Sequence, residues 1–230
     1  MRPRELIATS MTADGRAITL HREADGYMVR VGNEPLMGSR THGSEAQMAE
    51  LALRHIESSS PRVLIGGLGM GFTLRAALDV LPSTAEVVVV ELLPCIVEWN
   101  YGVLADLAKR PLQDVRVRLI AADFVDHLAG TEDAGRYDAI LVDVDNGPEA
   151  FTTAGNARIY DRTGLQALQN ALVPGGTVAI WSAFSSGGFE RSLEKAGFEV
   201  EVATVRGHAG KGARHTIFLG TKGQATPRRP

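Results

Sequence analysis

A glycine-rich turn at residues 66–71 carries the clearest chemical signal in the sequence. The apolar run Val63-Leu64-Ile65 leads into Gly-Gly-Leu-Gly-Met-Gly, so a buried strand is predicted to end in a Gly-x-Gly-x-Gly turn. Glycine allows positive φ angles and lets a ligand approach the backbone, because it has no Cβ. The helix predicted after this turn presents free N–H groups and the positive end of its dipole, which suits a carboxylate or a phosphate.

Glu91 stands twenty positions after Gly71, at the end of the next predicted strand. An acid at this point can accept hydrogen bonds from both hydroxyls of a ribose. A dinucleotide fingerprint would require a further glycine at position 72, where the chain has Phe72. The turn could serve structure alone, but its combination with the strand and the acid favours a nucleoside. The spacing favours S-adenosylmethionine over NAD.

Asp123 and Phe124 follow the third predicted strand, 115–121. At the carboxyl edge of a parallel sheet, an aspartate can accept a hydrogen bond from the exocyclic amine of adenine, with the aromatic ring beside the base. The alternative is an N-cap for a helix over 125–128, since aspartate is a favoured capping residue. The residues expected at the nucleoside are Gly67, Gly69, Met70, Gly71, Glu91, Asp123 and Phe124.

Two acids, Asp143 and Asp145, follow the fourth predicted strand, 139–142, and lie at the edge where ligands of parallel sheets bind. Two nearby carboxylates raise the pKa of one of them, which can then act as a base toward an amine or attract a cationic substrate. The alternative is a solvated turn, because Asp-Asn-Gly-Pro at 145–148 is turn chemistry. Tyr160 opens the next predicted helix and is expected either to face the same crevice or to pack in the core.

Strands that alternate with helices predict an α/β fold with a Rossmann-like, doubly wound and mostly parallel sheet of seven strands. The last two strands have no helix between them, so they are expected to pair antiparallel. The predicted strands cover residues 62–65, 86–90, 115–121, 139–142, 177–181, 200–205 and 215–219.

The chain is expected to divide into three segments. Residues 1–57 form an N-terminal β-hairpin (17–21 with 27–31) and a linking helix, at whose start Ser44 and Gln47 predict a capping box. Residues 58–222 form the nucleoside-binding α/β domain, and residues 223–230 form a disordered tail.

Composition points to an ordinary globular protein. The net charge of −3 and the absence of a basic stripe argue against a nucleic-acid partner, including an RNA methyltransferase substrate at the basic loop 206–214. The single cysteine, Cys95, and the lack of an apolar run long enough for a membrane predict a cytoplasmic protein. His42, His55 and His127 are isolated in sequence, so no metal site is expected.

With these residues in place, the chain resembles the spermidine synthase family, whose core is a class I methyltransferase-like fold. The resemblance covers about residues 15–220, where the glycine turn, Glu91, Asp123, Asp143 and Tyr160 follow in the family's order. It implies that Glu91 holds the ribose, that Asp123 holds the adenine and that Asp143 activates the accepting amine. It also implies that the N-terminal segment packs against a second subunit, so a homodimer is expected.

The sequence departs from the family's pattern in the half of the site that binds the polyamine. The family's glycine loop usually carries an aspartate where this chain has Met70, and its Tyr-His-Glu falls on residues 45–47, which are Glu-Ala-Gln. A glutamine of the family is replaced near Leu36, and the second acid falls on Asn146 unless Asp145 substitutes for it.

The leading hypothesis is a transferase that binds S-adenosylmethionine or decarboxylated S-adenosylmethionine and transfers a methyl or aminopropyl group to a small amine. Because Met70 cannot select for a free ammonium on the donor, it favours ordinary S-adenosylmethionine. The alternative is a non-catalytic nucleoside-binding or scaffold protein that keeps the fold and has lost polyamine synthesis.

Overall fold

The computed structural model describes residues 4–12, 14–24, 26–130, 135–144, 157–208 and 211–224. Its N-terminal part is a four-stranded antiparallel sheet in the order β1-β2-β3-β4. These strands are β1 (Glu5–Met11), β2 (Ala17–Glu23), β3 (Gly26–Val31) and β4 (Glu34–Gly38). The predicted hairpin is the β2–β3 pair, to which β1 and β4 add one edge strand on each side.

The main sheet has seven strands in the order β10-β11-β9-β8-β5-β6-β7. They are β5 (Arg62–Gly66), β6 (Glu86–Glu91), β7 (Val117–Ala121), β8 (Tyr137–Val142), β9 (Leu172–Ser182), β10 (Phe198–His208) and β11 (Lys211–Lys222). Pairings from β7 to β9 are parallel, whereas β11 pairs antiparallel with both β9 and β10. The predicted fold class, including the antiparallel final hairpin, is confirmed.

Helices cover both faces of the main sheet. Those described are α1 (Gly43–Leu53), α2 (Phe72–Val80), α3 (Pro94–Tyr101), α4 (Phe124–Leu128), α5 (Ala157–Tyr160), α6 (Arg162–Ala171) and α7 (Gly187–Lys195). None of these helices is long and apolar enough to cross a membrane.

The valine-rich strand β6 shows why the sheet is buried on two sides. Val87 and Val89 point into one apolar core with α1, α2 and α3, while Val88 and Val90 point into a second core with α4, α6 and α7. An uninterrupted apolar run is what a strand covered on both faces requires. The first core also contains Ile18 of β2, so it continues without a break into the N-terminal sheet.

Several element boundaries differ from the sequence expectation, and β9, β10 and β11 are longer than predicted. Strand β7 begins at Val117, because Val115 is almost fully exposed and has nothing to pack against. The predicted helix from 159 is interrupted at Asp161, whose side chain accepts hydrogen bonds from the N–H groups of Thr163 and Gly164 and so starts α6. Tyr160 therefore ends the short helix α5 instead of opening the longer one, which corrects its predicted position.

The predicted capping box at the start of α1 is also wrong. The Ser44 hydroxyl donates to the neighbouring Glu45 carboxyl at 2.6 Å instead of capping a backbone group. The Gln47 side chain donates to the carbonyl oxygens of Gly43 (2.9 Å) and Arg206 (3.0 Å), which ties α1 to β10. Part of the predicted tail, from residue 225 onward, lies outside the described residues.

Candidate functional site

A cavity of about 910 Å³ lies between the carboxyl edge of the main sheet and the N-terminal sheet. Its floor comes from the glycine turn and the ends of β6 and β8, and its roof comes from β3 and β4. The start of α1 and the neighbouring ends of β9 and β11 close one side. Since ligands of open α/β sheets bind at this edge, the cavity is the candidate site.

The glycine turn is held tightly between its two neighbouring strands. The Gly67 N–H donates to the Val90 carbonyl oxygen at 2.9 Å, and the Asp143 N–H donates to the Gly66 carbonyl oxygen at 2.9 Å. Gly67 has a φ of 88°, and a Cβ there would overlap the carbonyl oxygen of Asp143. Glycine is required at this position, because both the φ angle and the space exclude a side chain.

The other predicted turn residues divide between the cavity and the structure behind it. Gly69 and Met70 line the cavity, and the Met70 side chain is buried. Gly71 is not among the lining residues in the described part of the chain; it starts α2 with a φ of 82° and faces Pro111 and Asn100. Gly71 therefore lies behind the cavity, at the start of α2.

Glu91 is buried at the end of β6 and lines the cavity. Its Oε2 accepts a hydrogen bond from the Leu68 N–H at 2.9 Å, and its Oε1 accepts one from the Leu93 N–H at 2.8 Å. Burial raises the pKa of this carboxyl, while the backbone hydrogen bonds oppose that rise. Each carboxylate oxygen can accept more than one hydrogen bond, so the same group can hold the loop and still receive ribose hydroxyls.

Asp123 lies at the cavity and also caps α4. Its Oδ1 accepts from the N–H groups of Val125 (2.8 Å) and Asp126 (3.1 Å). Both bonds end on Oδ1, so capping leaves Oδ2 for a ligand, and the two roles considered from the sequence are compatible. Phe124 lines the same cavity, and its ring lies against the backbone of Gly66, where a Cβ would come within 2.7 Å of it.

Asp143 lines the cavity at the end of β8. Its Oδ2 accepts a hydrogen bond from the Thr73 hydroxyl at 2.6 Å, which joins β8 to the first turn of α2. Burial raises the pKa of this carboxyl. Asp145, predicted as its acidic partner, lies outside the described residues.

The acid that the structure brings next to Asp143 is Glu45, in the first turn of α1. Burial, together with the charge of Asp143, raises the pKa of Glu45 to about 7. Sequence reasoning did not select Glu45, because α1 reaches the site only through its packing on the main sheet. The one sequence feature that could have found it is its place in residues 45–47, where this chain has Glu-Ala-Gln and the family that it resembles has Tyr-His-Glu.

Tyr160, the remaining predicted site residue, packs in the second apolar core. Its ring meets that of Phe189 edge to face, with the centroids 5.7 Å apart and an interplanar angle of 84°. Ile159, its neighbour in α5, lines the cavity, whereas Tyr160 is not among the described lining residues. The structure therefore matches the packing alternative for Tyr160.

An aromatic pair that the sequence did not reveal lines the same cavity as the acids. Trp181 at the end of β9 and His215 on β11 both line the cavity, with ring centroids 4.8 Å apart. Burial lowers the pKa of His215, so its imidazole is neutral near pH 7. The antiparallel register that pairs Trp181 with Ile217 brings these two rings together.

No group of three or more His, Cys, Asp or Glu side chains that could hold a metal ion is found among the described residues. The polar side chains at the cavity include the carboxyls of Glu45, Glu91 and Asp143, the hydroxyl of Thr73 and the imidazole of His215. These groups suit hydrogen bonding to an organic ligand.

Comparison with known proteins shows a likeness in fold. No protein-family model matches the sequence, and no curated protein sequence matches it. A spermidine synthase solved in complex with the transition state analogue AdoDATO has a TM-score of 0.77 at 18% identity, covering 96% of this chain and 75% of that one. The spermidine synthase from Thermotoga maritima gives 0.76 at 17% identity, with coverage of 96% and 74%.

A probable spermidine synthase from Corynebacterium glutamicum ATCC 13032 has a TM-score of 0.65 at 17% identity, covering 96% of this chain and 81% of that one. These values show that the chain has the spermidine synthase-like, class I methyltransferase-like fold that the sequence predicted.

Proposed function

We propose that this protein is a transferase that binds an S-adenosylmethionine-type sulfonium nucleoside in the cavity and transfers its alkyl group to an amine. The observation that carries this proposal is the contact between Gly67 of the nucleoside turn and the backbone of Asp143, the candidate base. A donor bound on the turn would have the partly buried carboxyl of Asp143 beside it. Proximity of that kind is the main contribution a protein makes to such a displacement.

The donor half of the cavity supplies the groups that a nucleoside needs. Glu91 offers carboxylate oxygens for the ribose hydroxyls, and Asp123 Oδ2 offers one for the adenine amine. Phe124 contributes an aromatic surface beside the base. The solved spermidine synthases support this assignment, because one of them holds the transition state analogue AdoDATO in a protein of the same fold.

The reaction would be an in-line displacement at the carbon bound to the sulfonium. The lone pair of the acceptor nitrogen forms the new C–N bond, and the C–S bond breaks with its electron pair passing to sulfur, which becomes a neutral thioether. The Asp143 carboxylate first takes a proton from the acceptor ammonium, which frees that lone pair, and the product nitrogen then carries the positive charge that the sulfonium loses. Thr73, which donates to Oδ2, fixes the orientation of that base.

Met70 bears on the choice of donor. It lines the cavity and is buried among apolar side chains, so it offers no charge to the free ammonium of a decarboxylated donor. We expect S-adenosylmethionine to bind more tightly than decarboxylated S-adenosylmethionine in isothermal calorimetry. Equal affinity for the two, or no binding of either, would contradict this preference.

The experiment that tests the function compares Asp143→Asn with Thr73→Ser. With a nucleoside donor and a panel of amines, Asp143→Asn should lower kcat by about a hundredfold or more, because the base is lost. Donor affinity should change little, and Thr73→Ser, which keeps the hydroxyl, should stay close to the wild type. Unchanged turnover in Asp143→Asn would remove it as the base. Donor binding without turnover on any amine would favour a non-catalytic nucleoside-binding protein.

A further inference from the structure

The acidic side chains that line the cavity differ in the hydrogen bonds and ion pairs that they form within the protein. Glu91 accepts two backbone N–H groups and Asp123 caps α4, as described above. Asp14, at the rim, forms an ion pair with Arg16 at 2.8 Å. Each of these three acids therefore has a structural partner within the protein.

Glu45 and Asp143 are paired differently. The hydrogen bonds described for them come from hydroxyl groups, those of Ser44 and Thr73, and no ion pair to either acid is found among the described residues. Two interacting carboxyls that are partly shielded from water favour a positive charge or a proton beside them. Arg16 is the one arginine or lysine among the described residues that line the cavity, and it is paired with Asp14 at the rim and forms no described ion pair with Glu45 or Asp143.

The walls around this pair are apolar and aromatic. Trp181 and His215 stand together on the side formed by β9 and β11, and Phe72 lies on the side formed by α2. Leu36 and Met37 of β4 line the cavity from the N-terminal sheet, where the Met37 sulfur lies beside Gly69. None of these side chains carries a charge that would meet a second ammonium group, since burial keeps the His215 ring neutral.

We propose that the acceptor is a monoamine with an apolar body of aromatic size, bound with its amino group at the Glu45–Asp143 pair and its body against Trp181. This inference rests on the proposed function, and it names the substrate class of that same site. It assigns Glu45 as a residue that determines acceptor specificity. A diamine of similar length would have to bury its second ammonium among apolar walls, which is costly without a partner.

The charge of the acidic pair agrees with a single ammonium. Burial and the charge of Asp143 raise the pKa of Glu45 to about 7, and burial raises the pKa of Asp143 as well, so the two carboxyls together carry less than two negative charges near neutral pH. A single ammonium therefore suits the pair better than two. Proton transfer from the amine can then end on Asp143 while Glu45 holds the substrate in place.

Calorimetry on the full chain tests the proposal in two steps. The protein is first titrated with S-adenosylhomocysteine and with 5′-methylthioadenosine, and the nucleoside that binds is kept at saturation. Phenethylamine, 1,4-diaminobutane and n-butylamine are then titrated into the loaded protein. Phenethylamine should bind about tenfold more tightly than either of the other two amines, which corresponds to the apolar contact of its ring.

Variants separate the two parts of the site. Glu45→Gln should weaken phenethylamine by about tenfold, whereas Glu50→Gln, an exposed carboxyl on the same helix, should leave it unchanged. Trp181→Leu should remove the preference for phenethylamine over n-butylamine, and Trp181→Phe, which keeps a ring and is the milder change for folding, should retain most of it.

The outcomes distinguish the two proposals. If neither nucleoside binds, the proposed function fails and the acceptor assignment fails with it. If a nucleoside binds but 1,4-diaminobutane binds as tightly as phenethylamine, or if no amine binds, only the acceptor assignment is overturned. An unchanged phenethylamine affinity in Glu45→Gln would likewise overturn the role of Glu45.

Discussion

Glu91 and Asp143 stand at the ends of the two strands that flank β5, one on each side of the glycine turn. Glu91 is bound at both oxygens by backbone N–H groups of the loop segments beside it, whereas the hydrogen bond described for Asp143 comes from the Thr73 hydroxyl. A carboxylate bound at both ends is suited to hold a loop. One bound at a single oxygen keeps the capacity to take a proton.

Replacing Glu91 by Gln tests its holding role. Only one end of the amide can accept, so its NH₂ group would face the N–H of Leu68 or Leu93. The unfolding free energy should fall by about 1–3 kcal/mol, and nucleoside affinity should fall as well. Thermal unfolding and calorimetry measure the two effects.

Glu199→Gln, an exposed acid on β10, serves as the matched control for that change and should leave both quantities at the wild-type values. Wild-type affinity and stability in Glu91→Gln would contradict the assigned role.

The raised pKa of Glu45 makes stability depend on pH in a defined direction. Its value moves from 4.5 to about 7 on folding, so between these values the folded protein binds more protons than the unfolded chain. The stabilisation is therefore present at low pH and is lost as the pH rises through that window. From pH 5 to pH 8 the Tm of the wild type should fall relative to that of Glu45→Gln, by roughly 2–4 °C for each kcal/mol lost.

Differential scanning calorimetry of the two proteins at matched ionic strength measures this difference. Asp143 and Glu91 also have raised pKa values, and they shift both proteins in the same direction. The gap between the two Tm curves therefore reports Glu45 together with its interaction with Asp143, and curves that stay parallel from pH 5 to pH 8 would rule out the raised pKa of Glu45.

At the scale of elements, the glycine turn couples β5 to β8. The backbone of Gly67 lies against the Asp143 carbonyl, so Gly67→Ala combines a positive φ with a steric overlap. We expect a loss of about 2–4 kcal/mol of unfolding free energy, together with loss of nucleoside binding. Gly32→Ala is the control, since Gly32 has a φ of 56° with no atom near its absent Cβ, and it should cost about 1 kcal/mol. If denaturant unfolding showed that Gly67→Ala and Gly32→Ala lose the same unfolding free energy, the contact of Gly67 with Asp143 would be unimportant.

The elements that could be predicted from the sequence are those whose pattern is set locally. Strand β6 was predictable because a run of four valines fits a strand with both faces buried. The turn after β5 was predictable because several glycines directly after an apolar strand favour a tight turn. Strands β1 and β4 were not predicted: they are edge strands with mostly partly exposed residues, and β4 contains Pro35.

The site residues that sequence reasoning missed depend on long-range packing. Glu45 reaches Asp143 only because α1 lies on the main sheet, and Trp181 meets His215 only through the register of β9 with β11. Asp123 shows the opposite case, because the N-cap was one of the two alternatives that its local sequence offered and its place at the cavity followed from the strand order.

At the scale of the whole molecule, the two sheets share one apolar core and enclose the cavity between them. The residues proposed to bind the nucleoside lie at the edge of the main sheet, while Met37 and Leu36 of β4 close the opposite side. The N-terminal sheet is therefore part of the site and not an appendage to it. Its outer strand β1 has a free edge, because β2 is its one partner in the described sheet.

That free edge supports the homodimer expected from the sequence. Leu6 and Met11 of β1 are exposed, at 57% and 61%, next to unpaired backbone groups that can pair with a second copy. We expect a dimer by light scattering at micromolar concentration, and Leu6→Lys should shift it toward the monomer. Val115→Lys, at a 99% exposed apolar residue outside the N-terminal sheet, should leave the mass unchanged. A wild-type monomer would refute the dimer, and a dimer that persists in Leu6→Lys would move its interface away from β1.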